Sequence, residues 1–246
     1  MSSSPSDPKD LALIEQLRAD PALRDHADEV LKAIIRLRYS YNFSWLGRPI
    51  IQLPQDIVAM QEIIWKYRPD AIVETGIAHG GSLIFSASML QLLGGDGIVI
   101  GVDIDIREHN RREIENHPLA HRIKMIEGSS IDPATMQSVT AALGGRQRVI
   151  VVLDSNHTDE HVAHELLAYA PLVRKDSYLV VLDTVIEHLP EDMYPDRPWG
   201  VGNNPMTALD RFLRANERFE IDSEYDRKLV FSVAPRGYLR ANADPA

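Results

Sequence analysis

From residue 71 onward, short apolar runs alternate with stretches whose apolar positions recur at helical spacing. The runs cover residues 71–73, 98–102, 122–126, 149–153 and 178–182. Several are almost wholly apolar and β-branched, the composition of strands buried on both faces of a parallel sheet. Between them Leu83, Ala87 and Leu90, and later Val162, Leu166 and Tyr169, mark helix faces. This alternation predicts β–α–β units wound on both sides of a mostly parallel sheet, a doubly wound, Rossmann-like α/β fold. Two more apolar runs, 219–221 and 228–233, lie too close together for a crossover helix and predict a C-terminal antiparallel hairpin, for seven strands in all.

Before residue 71 the pattern is helical. Residues 11–17 and 27–37 carry apolar positions at helical spacing and are divided by Pro21. A further helix is expected after Pro54, with Ile57, Met60 and Ile64 on one face. Between these helices Tyr39, Tyr41, Phe43 and Trp45 show no clear period and read either as a lid or substrate wall or as core packing. The expected organisation is one domain over residues 11–240, with a helical and aromatic cap over 11–53 and tails at 1–10 and 241–246.

Composition narrows the function. The chain has 246 residues, 44% hydrophobic and 25% charged, as in an ordinary globular protein. A formal charge of −10 without a basic stripe argues against nucleic acid as a partner. No apolar run approaches the ~20 residues of a membrane helix, so a soluble protein without a membrane partner is expected. Cysteine is absent, which removes disulfides, thiolate metal sites and a cysteine nucleophile. With no apolar signal segment at the N-terminus, the expected location is the cytoplasm.

The candidate chemistry gathers where strands end. The first strand runs into Glu74-Thr75-Gly76-Ile77-Ala78-His79-Gly80-Gly81-Ser82. Gly76 permits a tight turn, and Gly80 and Gly81 would let a ligand approach the next helix's N-terminus. The pattern Gly76-x-Ala78-x-x-Gly81 nearly matches the nicotinamide fingerprint. A glutamate two residues before the first glycine suits the methionine amine of S-adenosylmethionine better than a nicotinamide dinucleotide. Asp103, at the second strand's end, is placed to accept from ribose hydroxyls. Ser130, after the third, is placed near an adenine edge, while Asp132 reads as the cap of the helix opening at Pro133. The fourth and fifth strands end in Asp154 and Asp183, hard oxygen ligands suited to Mg²⁺ or another divalent cation. His157 is a candidate general base for a hydroxyl proton. His157, His161 and His164 also fall at i, i+4 and i+7, a spacing that admits zinc on one helix face. A helix beginning after Thr158 leaves His157 outside it and makes His161 and His164 ordinary polar positions.

These residues together resemble the cephalosporin hydroxylase family, whose members have the class I methyltransferase fold. The resemblance runs over roughly residues 39–240. It rests on the stretch from Val73 to Ser82, on residues 101–107, and on Asp154-Ser-Asn-His157 followed by His161-Val162. Asp183-Thr184, Gly202-Asn-Asn-Pro205 and residues 235–240 complete it. The resemblance implies an S-adenosylmethionine-dependent O-methyltransferase, divalent-cation assisted, acting on a hydroxyl of a small sugar or natural-product type molecule and assembling as a homo-oligomer. The cofactor set is then Glu74, Gly76, Ala78, Gly80, Ser82, Asp103, Ser130 and Asp154. The metal set is Asp154, Asp183 and Thr184, with Glu187 or His188 as further candidates. By the same resemblance His157 stands where catechol methyltransferases place a catalytic lysine. Two positions depart from relatives: Leu182 replaces a glutamate of antibiotic-type members, and Thr184 replaces an asparagine of catechol enzymes. An NAD(P)-dependent oxidoreductase and a non-catalytic ligand-binding module are the alternatives. An iron-dependent hydroxylase, which the family name invites, finds no facial triad. The loop 187–204 with Trp199 is expected to wall the substrate.

Overall fold

The computed structural model of the chain describes residues 8–245. Two helices lead, α1 (Pro8–Ala19) and α2 (Pro21–Arg36), with Asp20 capping the second by accepting from the Leu23 amide. A two-residue hairpin of β1 (Ser44–Trp45) and β2 (Arg48–Pro49) follows, then α3 (Pro54–Tyr67), which has proline in its first turn. The expected tail 1–10 lies in part outside the described residues, but Pro8–Asp10 already belong to α1. At the other end Ala241 is buried in the last strand.

The central sheet has seven strands. They are β3 (Ala71–Thr75), β4 (Ile98–Asp103), β5 (Ile123–Glu127), β6 (Val149–Leu153), β7 (Tyr178–Val181), β8 (Phe219–Ile221) and β9 (Tyr238–Ala241). Their order is β5-β4-β3-β6-β7-β9-β8, parallel except for the pairings of β9. The intervening helices are α4 (Gly81–Leu93), α5 (Glu108–Glu115), α6 (Pro133–Leu143), α7 (Asp159–Tyr169), α8 (Pro205–Ala215) and α9 (Ser223–Lys228).

Strand residues alternate between the two faces, as period-two geometry requires. Ile72, Val99 and Ile150 pack with α3, α4 and α5 through Ile64, Leu83 and Ile114. Val73, Ile100 and Val151 pack with α6, α7 and α8 through Val139, Leu166 and Leu209. A third cluster joins α2 to the segment after β7, with Leu31 and Leu53 against Val185, Ile186 and Leu189. The register aligns Thr75 with Leu153, and Leu153 with Val181. The residues that follow, Gly76, Asp154 and Asp183, therefore emerge along one edge. Strand order, not strand direction, reverses between the parallel β3 and β6, and ligands of such sheets bind at that switch point.

One expected strand is absent. Residues 228–233 are not a strand; the antiparallel partner of β8 is Tyr238–Ala241. The buried Asp56 of α3 takes the segment's bonding groups instead. Its carboxylate accepts from the Val233 amide at 3.1 Å and from Ser232 Oγ at 2.5 Å, and Gln55 donates to the Phe231 carbonyl. With Ser223–Lys228 helical and capped by Asp222, no ladder can form there. Among the described residues no helix is long and apolar enough to cross a membrane.

Candidate active site

The turn after β3 is set by its neighbours. Gly76 has φ +87°, and a Cβ there would stand 2.0 Å from the Asp154 carbonyl oxygen. Glycine thus lets the exits of β3 and β6 touch. Asp103 supports the turn directly: Oδ2 accepts from the amides of Ile77 at 2.8 Å and Ala78 at 3.4 Å, while Oδ1 accepts from Asp105. A carboxylate offers about four acceptor sites, so capacity remains for hydroxyls of a ligand. Gly80 and Gly81 also serve the packing of the turn. A Cβ on Gly80 would meet the Ile114 side chain at 2.4 Å, and one on Gly81 the Pro49 carbonyl at 2.1 Å. Their smallness lets α4 start hard against α5 and β2.

Two residues absent from the sequence expectations clamp this turn. Arg48 donates to the His79 carbonyl through two nitrogens, at 3.0 and 2.7 Å, and to Asn110 Oδ1 at 2.9 Å. Asn110, 2% exposed, donates to the Ala78 carbonyl at 2.8 Å. An arginine in an aromatic stretch and an asparagine inside a helix carry no local signal, because their partners lie 31 and 32 residues away.

Glu74 sits within β3, 2% exposed, and accepts a hydrogen bond from the Ser82 hydroxyl. Burial pushes its carboxyl up to about 7, and the Ser82 bond only partly offsets this. Asp154 opens onto the crevice yet is deep enough that burial raises its carboxyl well above the usual range, reinforced by Asp183, Glu74 and Glu165. Asp154, His157 and Asp183 each offer a ligand atom, and these atoms lie within 4.8 Å of one another. His157 Nε2 is 3.2 Å from Asp183 Oδ2. As expected, α7 begins at Asp159, so His157 stands in the loop before it.

The other metal candidates turn away. Thr184 is fully buried and its hydroxyl donates to the Pro235 carbonyl at 2.7 Å, which anchors the segment after β7. Glu187 accepts from the Gly202 amide and from Asn204 Nδ2, closing the turn before α8. His188 lines a separate cavity of about 230 Å³ between α2 and α9. Asp183 itself takes a left-handed conformation, φ +57°, uncommon for a residue with a side chain.

The loop 187–204 brings Trp199 to the site: its ring meets His157 edge-on, centroids 5.3 Å apart, and Tyr194 packs on it at 4.9 Å. Burial and then the nearby Asp183 push the Tyr194 hydroxyl up. Of the earlier aromatic stretch, one half takes the core reading. Phe43 and Trp45 pack on the core, Trp45 donating to Ser88 Oγ, while Tyr39 and Tyr41 are exposed.

Behind the crevice lies a polar cluster. Ser130 Oγ is 2.9 Å from His161 Nε2, Ser155 Oγ is 3.2 Å from the same nitrogen, and Ser155 donates to Glu165 Oε1 at 2.7 Å. His161 is therefore not an ordinary polar helix position, whereas His164 is exposed and bonds only back to its own helix. Histidine and glutamate at i and i+4 on α7 were the available signal.

The family model described as Rhamnosyl O-methyltransferase/CmcI matches residues 37–242. The rhamnosyl O-methyltransferase of Mycobacterium tuberculosis is 28% identical over 192 residues, 76% of this chain and 73% of that protein. That of Mycobacterium leprae is 26% identical over 201 residues, 80% and 82% of the two chains. Among solved structures, a CmcI structure with Mg and SAM aligns with TM-score 0.57 at 22% identity, covering 82% of this chain and 78% of that one. The MycE methyltransferase of the mycinamycin biosynthetic pathway, in complex with Mg and SAH, aligns with TM-score 0.53 at 18% identity, covering 87% and 53%. The structural likenesses speak for the fold, and the family model for descent: the chain belongs to the Rhamnosyl O-methyltransferase/CmcI family.

Proposed function

We propose that this protein is an S-adenosylmethionine-dependent O-methyltransferase whose acceptor is a hydroxyl of a small sugar or natural-product type molecule. One observation carries the reading. Asp154, His157 and Asp183 converge within 4.8 Å on the strand-end edge where Gly76 touches Asp154. A methyl donor's binding turn and a hydroxyl-activating cluster are thus neighbours.

The residues fit a divalent cation. Glu74, Asp154, Glu165 and Asp183 crowd one region, and among the described residues their only ion-pair partners are His157 and His161. Hard carboxylate oxygens suit Mg²⁺ or a similar ion and leave the neighbouring imidazole free to act as a base. S-adenosylmethionine supplies the methyl group, and the cation supplies the positive charge this carboxylate cluster lacks.

The chain's own groups do the rest. Glu74 and Ser82 hold the amino acid end of the methyl donor, Asp103 takes ribose hydroxyls, and Ser130 faces the adenine. Asp154 and Asp183 hold the cation. His157 accepts the acceptor's hydroxyl proton as the new oxygen–carbon bond forms and the sulfur–carbon bond breaks. Trp199 and Tyr194 wall the acceptor side and exclude water, keeping oxygen, methyl and sulfur in line. A single domain reaching from α1 to the last strand and a cytoplasmic setting belong to the same proposal, the latter supported by the absence of cysteine. So does self-association, supported by the exposed rings of Tyr39 and Tyr41.

Titration calorimetry tests the base of this scheme. S-adenosylhomocysteine is expected to give a one-to-one isotherm and NAD none. Saturable binding of NAD with none of S-adenosylhomocysteine overturns it.

A further inference from the structure

Glu165 is fully buried, yet only one of its oxygens is engaged. Oε1 accepts from Ser155, and Oε2 has no hydrogen-bond partner among the described residues. A buried carboxylate is costly unless its charge is used. Among the described residues its one nearby cationic candidate is His161, whose Nε2 lies 3.6 Å from Oε1.

The direction of the hydrogen bonds follows from this carboxylate. A hydroxyl has one hydrogen, and that of Ser155 goes to Glu165 Oε1 at 2.7 Å. Toward His161 Nε2, at 3.2 Å, Ser155 can then only accept, so that nitrogen carries a hydrogen. The facing carboxylate favours the same tautomer. Ser130 Oγ, 2.9 Å from the same Nε2, must accept as well. Its own hydrogen is left over, and among the described residues Ser130 Oγ has no other hydrogen-bond partner. Ser130 is 5% exposed and stands two residues beyond Gly128, at the β5 end of the crevice. The Tyr169 hydroxyl, donating to the Ser130 carbonyl at 3.0 Å, fixes the backbone there.

We infer that Glu165 and His161 are positioning residues that make the Ser130 hydroxyl an obligate donor into the crevice, where it reads an acceptor ring nitrogen of the bound purine. This rests on the S-adenosylmethionine reading above, and adds to it a relay 31 to 35 residues downstream of the contact it controls. The unengaged Oε2 makes Glu165→Gln a clean probe. The amide keeps the oxygen that Ser155 needs and places its nitrogen where no bond is lost. A merely structural glutamate would tolerate the change, and removal of a buried charge would leave the fold as stable or more so. Without the charge, His161 is free to adopt the other tautomer and take the Ser130 hydrogen itself.

The experiment measures binding of S-adenosylhomocysteine and its 1-deaza, 3-deaza and 7-deaza analogues to the full chain by calorimetry. Each analogue deletes one ring nitrogen. In the wild-type protein one analogue is expected to bind about tenfold more weakly, the equivalent of one hydrogen bond. That penalty should vanish in Ser130→Ala and shrink to about twofold or less in Glu165→Gln, while the Glu165→Gln melting temperature holds or rises. Equal binding of all three analogues to the wild type, or an undiminished penalty in Glu165→Gln, overturns the inference while leaving the cofactor reading intact. Failure of the wild type to bind S-adenosylhomocysteine at all overturns both.

Discussion

The two ends of the crevice are built on different principles. The end proposed for the methyl donor, where β3, β4 and β6 emerge, is held by strand register and by side chains that bind the turn's own backbone: Asp103, Asn110 and Arg48. The acceptor end has no such lattice. Asp183 stands in a left-handed conformation on a segment tied to a distant loop, Thr184 to Pro235 and Val185 to Val233, with Asp56 securing that loop from α3. A turn locked into the sheet keeps one ligand geometry. An end suspended from loops can change shape without disturbing the sheet, as binding loops on a rigid scaffold do.

The sharpest way to break the comparison is at Gly76. Gly76→Ala combines left-handed strain with overlap of the Asp154 carbonyl, and is expected to cost roughly 3 to 5 kcal/mol and to abolish S-adenosylhomocysteine binding. Gly47 has nearly the same φ, +88°, but a Cβ added there would meet nothing within 4 Å. Gly47→Ala should cost only the conformational part, about 1 kcal/mol, and leave binding unchanged. Thermal melts and calorimetry on the pair check this. Equal losses in the two variants would mean that β3 and β6 are not held as tightly as the geometry shows.

The next effect belongs to Glu74. An unfolded glutamate titrates near 4.5, whereas burial holds this one up to about 7. Between those values the native state binds more protons than the unfolded state, so stability is full below 4.5 and is lost as pH rises through 7. The ligand-free protein should lose on the order of 3 kcal/mol across that window through this group. Melting curves at pH 5 and pH 8 compare the wild type with Glu74→Gln, whose profile should be flatter by that amount. Binding of a ligand ammonium would pull the carboxyl back down, so S-adenosylhomocysteine should bind more tightly as pH rises from 6 to 8. A wild-type slope matching that of the variant would remove Glu74 from this account.

The same contrast explains what the sequence made legible. Strands β3 to β7, the turn, Asp103, and the pair Asp154 and Asp183 were readable because apolar runs and strand-end acids are local patterns. The helix start that excludes His157 was readable for the same reason. Segment 228–233 was misread because its apolar alternation mimics a strand, while its bonding partners, Gln55 and Asp56, lie about 176 residues earlier. Thr184, Glu187 and His188 were misassigned because proximity to Asp183 in the chain does not reveal which way each side chain turns. Ser155, His161 and Glu165 escaped because their hydrogen bonds appear only when the loops after β5 and β6 meet at α7.

Asp56 offers the smallest test and the one most specific to the acceptor end. It is 1% exposed, and Oδ1 accepts from both Ser232 and the Tyr238 hydroxyl, the latter at 2.8 Å, while Oδ2 accepts from the Val233 amide. Burial raises its carboxyl, and these donors act against that rise. Unlike Glu165, both of its oxygens are used, so the amide isostere cannot be neutral here. Asp56→Asn turns an NH₂ toward a donor whichever way it is flipped, and should cost about 2 kcal/mol. Its functional signature should be one-sided. The loop 232–235 loosens, Asp183 loses its support, and kcat for methyl transfer falls about tenfold, while S-adenosylhomocysteine affinity stays within twofold because the sheet-bound turn is untouched. Equal damage to both readouts would show the two ends to be mechanically one, and the looser construction of the acceptor end would no longer explain how it varies.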